Sequence, residues 1–154
     1  MKKIWILIAT FFNVGRIPIA PGTWASMVTA GIFYLLHPYI QNPMTGILSL
    51  IIITMLGIPA ATAAEFHFGR KDPGECVIDE VAGQLLVLIF IPHTWPYYLA
   101  AFLIFRIFDI LKPFPIRRAE RIRRGFGIML DDLIAGLYTL GVIRLFIWVA
   151  PKLF

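Results

Sequence analysis

The sequence predicts an all-α fold, a compact membrane-embedded bundle of about five to six helices forming a single domain over residues 1–154. Three observations carry this expectation. The chain is 59% hydrophobic and only 15% charged, with a mean hydropathy of +0.81, against roughly 45–50% apolar and 25% charged residues in soluble domains. Its apolar residues fall into runs of helical length. Nearly all of the charges fall in the segments between those runs.

Taken in order, Lys2 and Lys3 precede an apolar run from Ile4 to Phe12. It has the outline of a signal peptide, but Asn13, Gly15 and Arg16 follow in place of a small-residue cleavage site, so the run reads as retained. Helices are expected over Trp24 to Leu36, Pro43 to Ala64, Val81 to Ile91, Tyr97 to Phe108 with an extension to Leu111, and Leu133 to Ala150. Pro43 to Ala64 is long enough to cross a bilayer unaided, since about 20 residues span the hydrocarbon core. Pro92, Pro96, Pro113 and Pro115 punctuate the later runs.

If each helix crosses once, Gly15 to Thr23, Glu65 to Glu80 and Asp109 to Asp132 emerge on one side, with His37 to Asn42 and Pro92 to Pro96 opposite. Nearly all charge then shares one face. That face carries Arg117, Arg118, Arg121, Arg123 and Arg124, so the positive-inside rule makes it cytoplasmic. Six of the fourteen cations lie between Lys112 and Arg124, a juxtamembrane position suited to anionic lipid head groups rather than nucleic acid.

The acidic residues gather in two stretches, Glu65 to Glu80 and Asp109 to Asp132. The pairs Asp79-Glu80 and Asp131-Asp132 are expected in helix first turns, where carboxylates favour the dipole by about 0.3–1 kcal/mol. Capping alone accounts for either pair. Together they suggest more, because ionised carboxylates repel and each costs about 2.5–3.5 kcal/mol near the bilayer centre. A divalent cation relieves both penalties. Oxygen ligands without a cysteine or histidine cluster favour Mg²⁺, Mn²⁺ or Ca²⁺ over zinc, and Mg²⁺ where a phosphate completes the shell. Ile78-Asp79-Glu80-Val81-Ala82-Gly83 also echoes Leu130-Asp131-Asp132-Leu133-Ile134-Ala135-Gly136, as if two acidic helix starts faced each other across small residues.

Asp109 lies three residues from both Arg106 and Lys112, which places all three near one helix face. The arrangement reads either as an ion pair or as a ligand flanked by two phosphate-binding cations. Glu65 is a further candidate ligand, ranked below the pairs. Arg16 and Thr23 flank a rigid loop at a helix N-terminus and are candidate phosphate contacts, with capping the simpler role for Thr23. Cys76 lacks the arginine that a cysteine-based phosphatase needs a short loop later, and His37, His67 and His93 read as packing residues.

Four blocks, Pro18 to Ser26, Lys71 to Gln84, Phe105 to Pro115 and Gly127 to Gly136, resemble the phosphatidylglycerophosphatase A family in their order and residues. Family members carry glycine where Ala25 stands and a further glycine near Asn13. The resemblance implies an enzyme of the bacterial inner membrane, its site facing the cytoplasm, that removes the terminal phosphate of phosphatidylglycerophosphate with Mg²⁺. It implies Asp79, Glu80, Asp109, Asp131 and Asp132 as the acidic site, with Arg106 and Lys112 as basic partners. In the mechanism inferred from phosphoryl-transfer chemistry, Asp79 or Asp132 takes the proton of an attacking water, while a covalent aspartyl-phosphate stays open. A non-enzymatic transporter-like component and an alcohol phosphotransferase are the alternatives. The phosphotransferase motif, an Asp-Gly step followed by an Ala-Arg pair and a spaced aspartate, is not found.

Overall fold

The computed structural model describes residues 2–39, 42–119 and 121–153, and no strand occurs among them. The helices are α1 (Lys2–Ala9), α2 (Pro21–Leu36), α3 (Pro43–Phe68), α4 (Ile78–Ile89), α5 (Trp95–Leu111), α6 (Ile116–Ala119) and α7 (Gly125–Leu153). There are seven rather than five to six among the described residues. The apolar run after Met1 is itself a helix, and the proline-rich segment before the arginines closes into the single turn α6.

The chain leaves α1 through Phe11, Phe12 and Asn13 at φ 43, 54 and 73°, the left-handed region that asparagine tolerates and glycine favours. A 3₁₀ turn, Val14–Arg16, then presses Gly15 onto the segment leading into α4. A Cβ on Gly15 would lie 2.0 Å from the Glu75 carbonyl oxygen. Close by, the Val77 N–H donates to the Ala9 carbonyl at 2.9 Å.

Helix α2 starts at Pro21, three residues before the expected Trp24. Ala20 turns the chain in a left-handed conformation, and proline suits the first helical position because its missing N–H would be unpaired there anyway. Thr23 therefore sits inside the first turn instead of capping it, its N–H donating to the Ala20 carbonyl at 3.0 Å. Helix α3 is capped by the Asn42 side chain, passes through Pro59 and stops at Gly69, whose φ of 68° closes the C-terminus. Its 26 residues extend about 39 Å.

Helices α3 and α7 are long and apolar enough to cross a membrane, and only 22% of each apolar window is buried. Leu48, Ile51 and Met55 on α3, and Leu145, Phe146 and Trp148 on α7, are more than half exposed. So large an outward apolar surface is unfavourable in water. Helix α4 is the opposite case. Ten of its twelve residues are buried, Asp79 among them, which makes it the central post of the bundle.

α7 begins at Gly125, not at the expected Leu133. The Gly125 N–H donates to Thr62 Oγ1 at 3.1 Å, and a Cβ on Gly125 would lie 2.1 Å from the Ile58 carbonyl. This close seat against α3 starts the helix early, so Asp131 and Asp132 lie nearly two turns inside α7 and not in its first turn. Farther along, α4 and α7 cross where the sequence echo places its small residues. Cβ atoms on Gly83 and Gly136 would fall 2.6 Å from the carbonyls of Asp132 and Gly83, respectively.

The two ends of the bundle differ in chemistry. At one end, His37 and His93 stack with centroids 3.8 Å apart, and His93 Nε2 lies 2.9 Å from the Tyr34 carbonyl. These two histidines are packing groups, as expected. Cys76 is buried in the core near the other end, where burial first, and then the charges of Glu80 and Asp72, push its thiol well above the ordinary range.

Two outcomes follow from this packing. Gly136→Val should lower stability in detergent by about 1–3 kcal/mol through overpacking against backbone, read as a fall in the thermal midpoint; an unchanged midpoint contradicts the close crossing. Native Cys76 should resist iodoacetamide at neutral pH and react only on unfolding; labelling of the folded protein contradicts its burial.

Candidate active site

Four elements deliver polar side chains to one end of the bundle: the start of α2, the start of α4, the end of α5 and the early turns of α7. From α4 come Asp79 and Glu80, neighbours in the first turn. From α7 comes Asp132, carried beside them by the Gly83–Gly136 crossing. One carboxylate oxygen from each of Asp79, Glu80 and Asp132 lies within 4.8 Å of the others. Asp79 and Asp132 are 6% and 2% exposed, so these groups are largely removed from water.

Burial, and secondarily the charge of Glu80, raises the Asp79 carboxyl well above the usual carboxylate range. Burial also raises Glu80 to about 7, against the opposing effects of its hydrogen bond with Asp79 and of Arg106. Asp79 Oδ1, Glu80 Oε2 and Asp132 Oδ2 are all buried without a hydrogen-bond partner. Three carboxylates that converge and each keep one buried oxygen without a partner are a donor set that fits a hard divalent cation.

Of the remaining expected acids, Asp109 and Asp131 are paired with cations. Asp109 lies against Arg106, with Nη1 to Oδ2 at 2.5 Å, and the same guanidinium stands 3.7 Å from Glu80 Oε1. Lys112 Nζ donates to Asp131 Oδ2 at 2.6 Å and stands 3.9 Å from Asp72 Oδ2. Lys112 reaches them because it ends α5 in a left-handed conformation, φ 43°. Of the two cations expected to meet phosphate, Arg106 thus stands beside Glu80 and Lys112 holds Asp131, the chain neighbour of Asp132, each balanced by an acid outside the trio.

Helix α2 closes this end. A Cβ on Gly22 would lie 1.9 Å from Glu80 Oε1 and 3.0 Å from Arg106 Nη1, so a side chain here would displace the Glu80 carboxylate and the Arg106 guanidinium. Thr23, half-buried, is the next residue.

Two expected residues lie elsewhere. Glu65 is not in the trio; because α3 continues to Phe68, it lines a separate cleft with Arg121, Arg123 and Arg124. Arg16 is exposed in another cleft with Lys2, Lys3 and His67, since the anchoring of Gly15 on Glu75 leaves it on the outer side. Two further residues stand out, Asp72, the weakest acidic candidate in the sequence, and Gln84, which the sequence does not single out. Asp72 shares Lys112 with Asp131. Gln84 is fully buried with neither amide atom hydrogen-bonded, and it lies four residues after Glu80, hence on the same helix face. That i, i+4 spacing of polar residues in an otherwise apolar helix was the available signal.

Residues 7–147 match the family profile described as Phosphatidylglycerophosphatase A. Curated relatives agree over nearly the whole chain. A Haemophilus influenzae protein named Phosphatidylglycerophosphatase A is 39% identical over 154 residues, covering 93% of this chain and 91% of that one. An Escherichia coli protein of the same name is 34% identical over 147 residues, covering 93% and 83%. A Bacteroides thetaiotaomicron protein, provisionally named a phosphatidylinositol-3-phosphatase, is 37% identical over 150 residues, covering 94% of each chain. No solved structure matches. With the profile and the relatives spanning the helices that build the acidic site, the chain belongs to the phosphatidylglycerophosphatase A family.

Proposed function

We propose that the chain is a Mg²⁺-dependent lipid phosphatase that hydrolyses the terminal phosphomonoester of phosphatidylglycerophosphate, giving phosphatidylglycerol and inorganic phosphate. The observation that carries this reading is the convergence of Asp79, Glu80 and Asp132 within 4.8 Å, with Arg106 beside Glu80 and Lys112 on the adjoining Asp131. Acids alone would suit a bare cation site. Acids with two cations at their margin suit a cation plus a phosphorylated ligand.

Asp79, Glu80 and Asp132 would hold the ion. When bound, Mg²⁺ supplies positive charge for the phosphoryl oxygens and acidity for the attacking water. The chain's own groups do the rest. Lys112 and Arg106 exchange part of their contact with Asp131 and Asp109 for the phosphate, stabilising charge on its equatorial oxygens. The N-terminus of α2, brought close by Gly22, adds backbone dipoles that favour an anion. Asp79 or Asp132 accepts the proton of the attacking water. Direct attack by an aspartate, giving an acyl phosphate, is distinguished by trapping labelled phosphate on the acid-quenched protein.

The setting is the cytoplasmic face of the bacterial inner membrane. Two membrane-length helices and the arginine cluster on the same face as the acids support this orientation. A phosphorylated inositol lipid is a second substrate reading, favoured by the printed name of the Bacteroides relative.

Purified protein supplied with phosphatidylglycerophosphate should release phosphate with Mg²⁺ and stop on chelation. Asp132→Asn should be slower by about 10²–10⁴-fold. Equal release by both proteins removes the assigned site, faster release from a phosphoinositide reverses the substrate order, and no release from either lipid favours a non-enzymatic role. Lys112→Ala should reduce kcat by about 10²–10³-fold, with Lys112→Arg recovering part of the loss; a wild-type rate in Lys112→Ala would exclude it from phosphate binding.

A further inference from the structure

A cleft of about 550 Å³ that is lined by none of the site acids opens where α3 ends and α7 begins, flanked by Glu65, Arg70, Lys71, Arg121, Arg123 and Arg124. Its depth follows from the fold. Both helices long enough to cross a membrane terminate here, Phe68 closing one and Gly125 opening the other, so the cleft lies at the level of lipid head groups.

Its charge is unbalanced. Arg70 is answered by Glu75, but among the described residues no carboxylate pairs with Arg121, Arg123 or Arg124. Guanidinium groups gathered in this way repel one another and suit the planar, forked recognition of phosphate oxygens. Phe66, 74% exposed, stands at the rim with the Arg124 guanidinium 5.7 Å from its ring centroid, an aromatic placed as membrane-interface aromatics are.

The acid in this basic cleft narrows the ligand. Glu65 Oε1 is buried and has no hydrogen-bond partner. An ionised carboxylate only accepts hydrogen bonds, so its natural complement is a hydroxyl or ammonium donor. Arginines around it disfavour a cationic head group. Together, phosphate-binding guanidiniums and one hydrogen-bond acceptor call for a phosphodiester that carries hydroxyl groups.

We propose that this cleft binds an anionic phospholipid with a hydroxylated head group, the class to which phosphatidylglycerol belongs, at a site distinct from the acidic trio. The arginines take the phosphodiester and Glu65 accepts from a head-group hydroxyl. This assignment stands independently of the phosphatase reading, because its ligand is a bilayer lipid bound without chemistry.

The test places the full chain in phosphatidylcholine discs doped equally with phosphatidylglycerol and phosphatidylmethanol, which share one phosphodiester charge but differ in hydroxyls. The lipids retained after mild detergent extraction are counted by native mass spectrometry. Wild type should retain phosphatidylglycerol about tenfold over phosphatidylmethanol, the discrimination of roughly one charge-assisted hydrogen bond. Glu65→Ala should equalise the two, while Arg121→Ala with Arg124→Ala should lose both. Lys112→Ala, which removes a cation from the acidic site, should leave the pattern unchanged. Equal retention of the two lipids by wild type, a comparison that needs no variant, overturns the proposal. So does loss of the preference in Lys112→Ala with its persistence in the arginine pair.

Discussion

The arrangement depends on one close contact between backbones, the crossing of α4 and α7 at Gly83 and Gly136. Side chains at either position would collide with carbonyls of the opposite helix, and separating the helices would carry Asp132 away from Asp79 and Glu80. The contact therefore sets the distance between acids that lie more than fifty residues apart in the chain. It also creates an electrostatic problem. Two ionised carboxylates at such separations repel by roughly 3–4 kcal/mol at an effective dielectric of about 20. Burial, with the charge of Glu80 second, raises the Asp79 carboxyl, and burial raises that of Glu80.

The remaining charges are arranged around this cluster with an internal logic. Two acids beside the trio each have a cation, Asp109 with Arg106 and Asp131 with Lys112, while Asp79 and Asp132 form no ion pair among the described residues. Arg106 and Lys112 are kept at the margin by these pairs and poised toward an incoming anion. Glycine at position 22 lets the positive end of α2 approach the same place. Packing and electrostatics thus act jointly: small residues bring helices together, and ion pairs decide which charges remain unanswered.

A second polarity is superposed on the first. The outward faces of α3 and α7 are apolar, while the arginine-lined cleft lies at their ends on the side of the acids. A lipid-facing belt with cationic clefts at its edge is the distribution expected where hydrocarbon gives way to anionic head groups. The opposite end, with its stacked His37 and His93, carries no comparable charge among the described residues.

Much of this was legible in the residues alone. Composition and run length indicate an all-helical chain suited to lipid, because apolar content and helical period are local properties. The positions of the acids, and the small residues that follow each pair, mark α4 and α7 as the site-bearing helices. Other features required the folded chain. Helix starts moved, since Gly125 seats on Thr62 and Pro21 follows a left-handed Ala20, contacts or conformations that no periodicity encodes. Glu65 and Asp132 look alike in sequence, each an acid bordering an apolar helix, yet one enters an arginine cleft and the other the trio. The same holds for Arg16 and Gln84, the first directed outward by the anchoring of Gly15 and the second buried on the Glu80 face. Sequence determined which residues could carry charge into an apolar bundle; only the packing of helices decided which of those charges meet, because proximity between distant segments is set by the shape of the backbone between them.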